Sequence, residues 1–323
     1  MKAVFIEQPG GIDALRYADF PTPQPAPGEV LIRIAYSGVN FIDTYHRSGL
    51  YKLPLPAVIG SEASGRVEKL GEGVTQFQAG DRVAYTLARG SYAEYHAVPA
   101  VQAVKIPDNV DDATAAACML QGATAHYLTH STFPLKRGQT TLIHAAAGGT
   151  GRLLVQIASM IGARVIGTVG SEEKARLAKA DGASDTILYN QHDFVAEVKR
   201  ITDGKGVDVI YDGVGQATLH KGFDCLKTRG MMVAFGQSSG PAAPIDMLML
   251  SQKGSLYATR PTLFNYISSR EDLEWRVSDL FRWISEGKLK INIDKAYPLA
   301  DAAQAHRDLE GRKTTGKLLL KIA

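Results

Sequence analysis

The chain has 323 residues, with 36 lysines and arginines against 33 aspartates and glutamates, and a formal net charge of +3 spread too thinly for a polyanion-binding surface. Hydrophobic residues make up 45% of it, yet no run of about 18 uninterrupted apolar residues occurs, so no bilayer-spanning helix is expected. The only cysteines, Cys118 and Cys225, exclude a disulfide framework and a cysteine zinc knuckle, and the length suits two domains.

The opening stretch, "MKAVFIEQPGG", carries too short an apolar run for a signal peptide, so a cytoplasmic location is expected. Up to about residue 110, short apolar runs such as "KAVFIE", "GEVLIRIAYSGV" and "GDRVAYTL" are cut by Gly and Pro. Many short strands separated by turns read as an all-β unit, most simply a barrel. Within it, residues 38 to 49, "GVNFIDTYHRSG", set Asn40, Asp43, Tyr45, His46 and Arg47 in a short polar stretch that reads as a loop. A His and an Asp three positions apart suit a metal site, a catalytic relay or a solvated loop, and the stretch by itself does not choose. His46 alone reads as an exposed loop histidine.

From residue 111 the texture changes. "DDATAAACMLQGATAHYLTH" is an Ala-rich helix with an acidic start and marks a domain boundary. Strands and helices then alternate through "TTLIHA", "GTGRLLVQIASMIGA", "RVIGTV", "SEEKARLAKADGA" and onward to "MMVAFG", which predicts an α/β, doubly wound parallel sheet. Between the first strand and helix lies a Gly-rich turn, Ala145-x-x-Gly148-Gly149-x-Gly151, in the context where helix N-terminal amides bind a dinucleotide pyrophosphate. The second strand runs into Gly170 and Ser171, with Lys174 just beyond, where NAD enzymes place an acidic residue. A hydroxyl and an ammonium attract a 2′-phosphate, so NADPH is the expected cofactor. Glu172 and Glu173 belong to the first turn of the next helix. Near the end, "REDLEWRVSDLFRWISEG" carries Leu273, Val277, Leu280, Phe281 and Ile284 at helical spacing, a core stripe, and "KLLLKIA" closes the chain as a strand.

The cradle, with "GVNFIDTYHRSGLY", "HAAAGGTG", "GTVGSEEKA", "YDGVG" and "KGSLYATRP", resembles the zinc-free NADPH:quinone oxidoreductase branch, the zeta-crystallin-like relatives, of the medium-chain dehydrogenase/reductase superfamily. The resemblance implies a GroES-like β-barrel catalytic domain over residues 1–122, a Rossmann NADPH-binding domain over 123–260 and a C-terminal segment, 261–323, returning to the catalytic domain. Zinc alcohol dehydrogenases of the superfamily carry Cys where this chain has Asn40, and Gly-His-Glu where it has Gly60-Ser61-Glu62, so no metal site is expected.

By the same resemblance Asn40, Asp43 and Tyr45 are catalytic. The cofactor is met by Asn40, Phe41, Ile42, Asp43, Thr44 and Tyr45, by Thr124 and Tyr127, and at the pyrophosphate by Gly148, Gly149, Thr150, Gly151 and Arg152. Gly170, Ser171, Lys174 and Tyr189 fall at the adenosine 2′-phosphate; Gly213, Val214, Phe235, Gly236, Gln237, Ser238, Thr259 and Arg260 follow later strands; Arg312 reaches back to the phosphates. The alternative is that Asn40 and Asp43 only brace their loop. The implied activity is NADPH-dependent, zinc-independent reduction of a small-molecule quinone to a hydroquinone or semiquinone, by a homodimer paired along "GSLYATRP", without membrane or nucleic-acid partners. Reduction of an enone or alkenal double bond, and a non-catalytic NADPH-binding role of crystallin-like or RNA-associated kind, are the alternatives.

Overall fold

An apolar run buried on both faces becomes a parallel strand, as in the central strands Thr140–Ile143, Arg164–Val169 and Val207–Asp212 of one unit. The computed structural model describes residues 1–311 and 313–322. It divides into a unit of Met1–Ala123 with Ile267–Ala323, and a unit of Thr124–Tyr266, so the division falls inside the Asp112–Tyr127 helix.

In the Thr124–Tyr266 unit, a six-stranded sheet runs in the order Asp185–Leu188, Arg164–Val169, Thr140–Ile143, Val207–Asp212, Leu226–Ala234, Tyr257–Thr259. All its neighbours pair in parallel. In sequence order that is 3-2-1-4-5-6, the doubly wound arrangement whose ligand crevice lies at the carboxyl ends of the strands. Leu142, Ile166 and Ile210 from the strands pack with Val198, Phe223 and Leu250 into one core. Each buried side chain of this size removes enough apolar surface to contribute about 1.5 to 3 kcal/mol.

The other unit is mostly antiparallel. Lys2–Ile6 pairs with Arg16–Asp19 and Ala57–Val58, while Glu29–Val39 pairs with Glu62–Leu70, Tyr95–Pro99 and the final strand, Lys317–Lys321. Val30, Ile32, Ile34, Val83 and Tyr85 form the interior between these strands. The long helix is Arg270–Ser285; its Leu273, Val277 and Phe281 pack on Ala84 and Val104, while Trp275 is exposed. Among the described residues no helix is long and apolar enough to cross a membrane.

Candidate active site

The polar stretch after the Glu29–Val39 strand is not a loop. Phe41–Ser48 is an α-helix with Asn40 at its N-cap and Gly49, at φ +82°, closing its end in the left-handed region. Asp43 sits at the third helical position and accepts the backbone N–H of Asn40 at 2.9 Å, one arm of a capping box. That spacing, Asn then Asp three residues on, with His46 and Arg47 in the last turn and Gly next, was the available signal for the helix.

Helical geometry buries half of this segment and corrects several expectations. His46 is only 7% exposed and edge-on to Tyr51 at 6.0 Å. Burial, with the Arg89 charge, pushes its imidazole down to about 4. Asp43 was expected to meet the cofactor, but its carboxylate is sealed: Ser61 donates to it at 2.6 Å and Tyr92 at 3.2 Å, and it is fully buried. Desolvation raises Asp43 to about 6, opposed by the hydrogen bonds from Ser61 and the Asn40 N–H and by the Lys317 charge. It braces the helix. Thr44 is likewise turned inward, its hydroxyl donating to the Phe41 carbonyl. Arg47 grips the Ala302–Glu310 helix through a two-pronged pair with Glu310 at 2.8 and 3.0 Å.

Asn40 and Tyr45 remain as candidates for chemistry. Tyr45 is half-buried and lies edge-on to Tyr51 at 5.4 Å. Asn40 belongs to a buried charged cluster that sequence reasoning missed. Its Nδ2 donates to Glu62 Oε1 at 2.7 Å, and its Oδ1 accepts from Lys317 Nζ at 2.7 Å and from Gln121 at 3.3 Å. Lys317 also bonds to the Val39 carbonyl and to Glu62, whose other oxygen accepts the Leu120 N–H. A lysine that opens an apolar terminal strand was the one sequence clue.

In the other unit, the Thr140–Ile143 strand leads into the Gly-rich turn and the Gly149–Ile161 helix, which starts without a side-chain cap. A Cβ at Gly151 would collide with the Ala145 carbonyl, so backbone packs closely on backbone at this turn. Arg152, in the first turn of this helix, pairs its guanidinium with Asp181 at 2.5 and 3.0 Å. Gly170 and Ser171 end the Arg164–Val169 strand beside Tyr189, which ends the neighbouring one; Ser171 caps the next helix by accepting the Lys174 N–H. Asp212 ties the following loop by accepting from Val214 at 2.7 Å and Gly215 at 3.1 Å. Ser238 reaches the Gly213 carbonyl, and Phe235 the carbonyl of Asp212, so Gly213, Gly236 and Gln237 lie in one cluster of strand ends. Thr259 closes the edge strand and Arg260 donates to the Ala234 carbonyl at 2.8 Å. Thr124 and Tyr127 are buried, Tyr127 stacked on Tyr266 at 4.3 Å, which leaves that ring packed rather than presented. Arg312 lies outside the described residues.

Comparison with known proteins adds to this geometry. Residues 26–108 match the alcohol dehydrogenase GroES-like domain, and residues 182–320 match the zinc-binding dehydrogenase family. The chain is 46% identical to a quinone oxidoreductase of Pseudomonas aeruginosa over 96% of both chains. It belongs to the quinone oxidoreductase branch of the medium-chain dehydrogenase/reductase superfamily. The Escherichia coli quinone oxidoreductase solved with NADPH is similar at TM-score 0.97 and 43% identity, covering 99% of this chain and all of that one. A 2-haloacrylate reductase of Burkholderia is 43% identical over 98% of both chains.

One matching family is described by its zinc, and the residues of this oxidoreductase do not fit that ion. The cationic position between Asn40 and Glu62 is filled by the Lys317 ammonium, and the Ser61 hydroxyl is spent on Asp43. Among the described residues no group of three or more His, Cys, Asp or Glu side chains is arranged to hold a metal ion.

Proposed function

We propose that this oxidoreductase uses NADPH to reduce small quinones, without a metal. The observation that carries this reading is its likeness, over nearly the full length, to quinone oxidoreductases, one of them solved with NADPH. The amides of Gly149, Thr150 and Gly151 would hold the pyrophosphate, and Ser171 and Tyr189, just beyond adjacent strand ends, with Lys174 in the first turn of the helix that Ser171 caps, suit the 2′-phosphate. NADPH, when bound, supplies a hydride. The chain's part is to place neutral donors, the Asn40 amide and the Tyr45 hydroxyl, against an oxygen that gains negative charge. A quinone accepts hydride readily, so positioning supplies most of the rate.

The 2-haloacrylate reductase likeness favours a second reading, reduction of an activated carbon–carbon double bond by the same hydride geometry. Following NADPH absorbance with a panel of benzoquinones, naphthoquinones, enones and a 2-haloacrylate separates the two. We expect quinone turnover with kcat/KM at least about tenfold above any alkene; the reverse ranking would overturn the first reading in favour of the second.

We also propose a homodimer in the cytoplasm. Met247, Leu248, Tyr257 and Phe264 are 75, 60, 56 and 62% exposed, and Tyr257–Thr259 is an outer strand of its sheet, a surface that a second copy would cover. A monomer in sedimentation equilibrium at micromolar concentration would contradict the pairing.

A further inference from the structure

Lys317 is only 2% exposed and Glu62 fully buried, so two opposite charges are held inside the β-rich unit at the desolvation cost that burial imposes. Their shared neighbour is the Asn40 carboxamide. Glu62 Oε1 accepts from its Nδ2, and Lys317 Nζ donates to its Oδ1, both at 2.7 Å. An amide turned over by 180° would set N–H against ammonium and oxygen against carboxylate, two repulsive contacts in place of two charge-assisted hydrogen bonds. Gln121 takes up the second acceptor position of Oδ1 at 3.3 Å. The oxygen is thereby fully used. One N–H of Nδ2 is the capacity that remains.

We propose that Lys317 and Glu62 are positioning residues: together they fix the Asn40 amide in the single orientation that presents an N–H, and never a carbonyl, to the reacting oxygen. The proposal rests on the reading of Asn40 as a donor in quinone reduction. It accounts for the retention of a buried ion pair where an apolar pair would pack at lower cost.

The test is a double-mutant cycle on the full-length protein with NADPH and a benzoquinone, reading kcat, KM and NADPH affinity by nucleotide fluorescence. Lys317→Met should lower kcat about tenfold while NADPH affinity stays within about twofold, because one oriented transition-state hydrogen bond is lost and the cradle is untouched. In an Asn40→Ala background the same Lys317→Met change should cost less than about twofold, since no amide is left to orient. Equal losses in both backgrounds would overturn the proposal and make Lys317 a fold residue. Full activity in Asn40→Ala alone would sink the donor reading of Asn40 itself, a separate failure. Should Lys317→Met leave the unpaired Glu62 charge and fail to fold, the paired Glu62→Gln/Lys317→Met variant removes both charges and carries the same comparison. Loss in that variant confined to the Asn40 background supports the proposal; undiminished kcat overturns it.

Discussion

At the scale of single residues, the chemistry of the polar helix is divided by burial. Tyr45 keeps part of its surface, whereas His46 is enclosed and its imidazole, lowered to about 4, stays neutral between pH 6 and 8. Tyr45→Phe should therefore reduce kcat/KM for a quinone about tenfold with NADPH binding kept, the value of one modest transition-state hydrogen bond. Steady-state kinetics checks it, and an unchanged kcat/KM would remove Tyr45 from the mechanism. His46→Ala should instead show as lost stability, with the pH profile of turnover between 6 and 8 unmoved. Lys174 poses the matching question for the cofactor. Losing one charge-assisted phosphate contact costs about 1.5 to 3 kcal/mol, so Lys174→Ala should weaken NADPH roughly tenfold to hundredfold and leave NADH nearly unchanged. Fluorescence titration with both nucleotides decides, and equal weakening would make Lys174 a fold residue.

Among elements, the turn between the Thr140–Ile143 strand and the Gly149–Ile161 helix has the least tolerance. A methyl group at Gly151 meets the Ala145 carbonyl, which belongs to backbone and cannot swing aside. Gly151→Ala should lower Tm by several degrees and, with the amides proposed to hold the pyrophosphate forced to move, weaken NADPH at least about tenfold. A variant with unchanged Tm and affinity would show that the turn is not held as tightly as this. This element was legible in the sequence because strand, glycines and helix are contiguous and each has a local cause. The polar helix after Val39 was not read as one: it is segregated into two faces, but eight residues are only two turns, too few for that repeat to stand out in the chain, and its caps, Asn40 and Gly49, were the stronger signal. The Asn40, Glu62 and Lys317 cluster was illegible for a different reason. Its members come from a helix cap and from two strands that flank Glu29–Val39 on opposite sides, so no spacing in the chain brings Lys317 to Asn40.

For the whole molecule, buried histidines set the response to acid. His306 accepts from Arg47 at Nδ1 and meets Tyr92 at Nε2, and burial, with the Arg47 charge, lowers it to about 3; burial lowers His96 to about 4. Their folded values lie below the ordinary 6.5, so their contribution is present above pH 6.5 and is lost as pH falls towards 4 and 3. Asp43, raised to about 6, acts in the opposite sense: its contribution is present below the ordinary 3.8 and is lost as pH rises through 6. Between pH 7 and pH 5 each histidine costs about 2 kcal/mol and Asp43 returns about 1, so net stability should fall on acidification. Urea unfolding at the two pH values should show His306→Asn losing about 2 kcal/mol less than the parent over this interval. An identical drop in both proteins would mean that His306 is not held neutral.

The central claim is metal-free, NADPH-driven quinone reduction, and it reduces to one measurement: initial rates of NADPH oxidation with a benzoquinone before and after exhaustive dialysis against a strong chelator. The Lys317 ammonium already fills the cationic position beside Asn40 and Glu62, so the account predicts the same rate in both samples. Loss of activity on dialysis, restored by stoichiometric zinc, would contradict it.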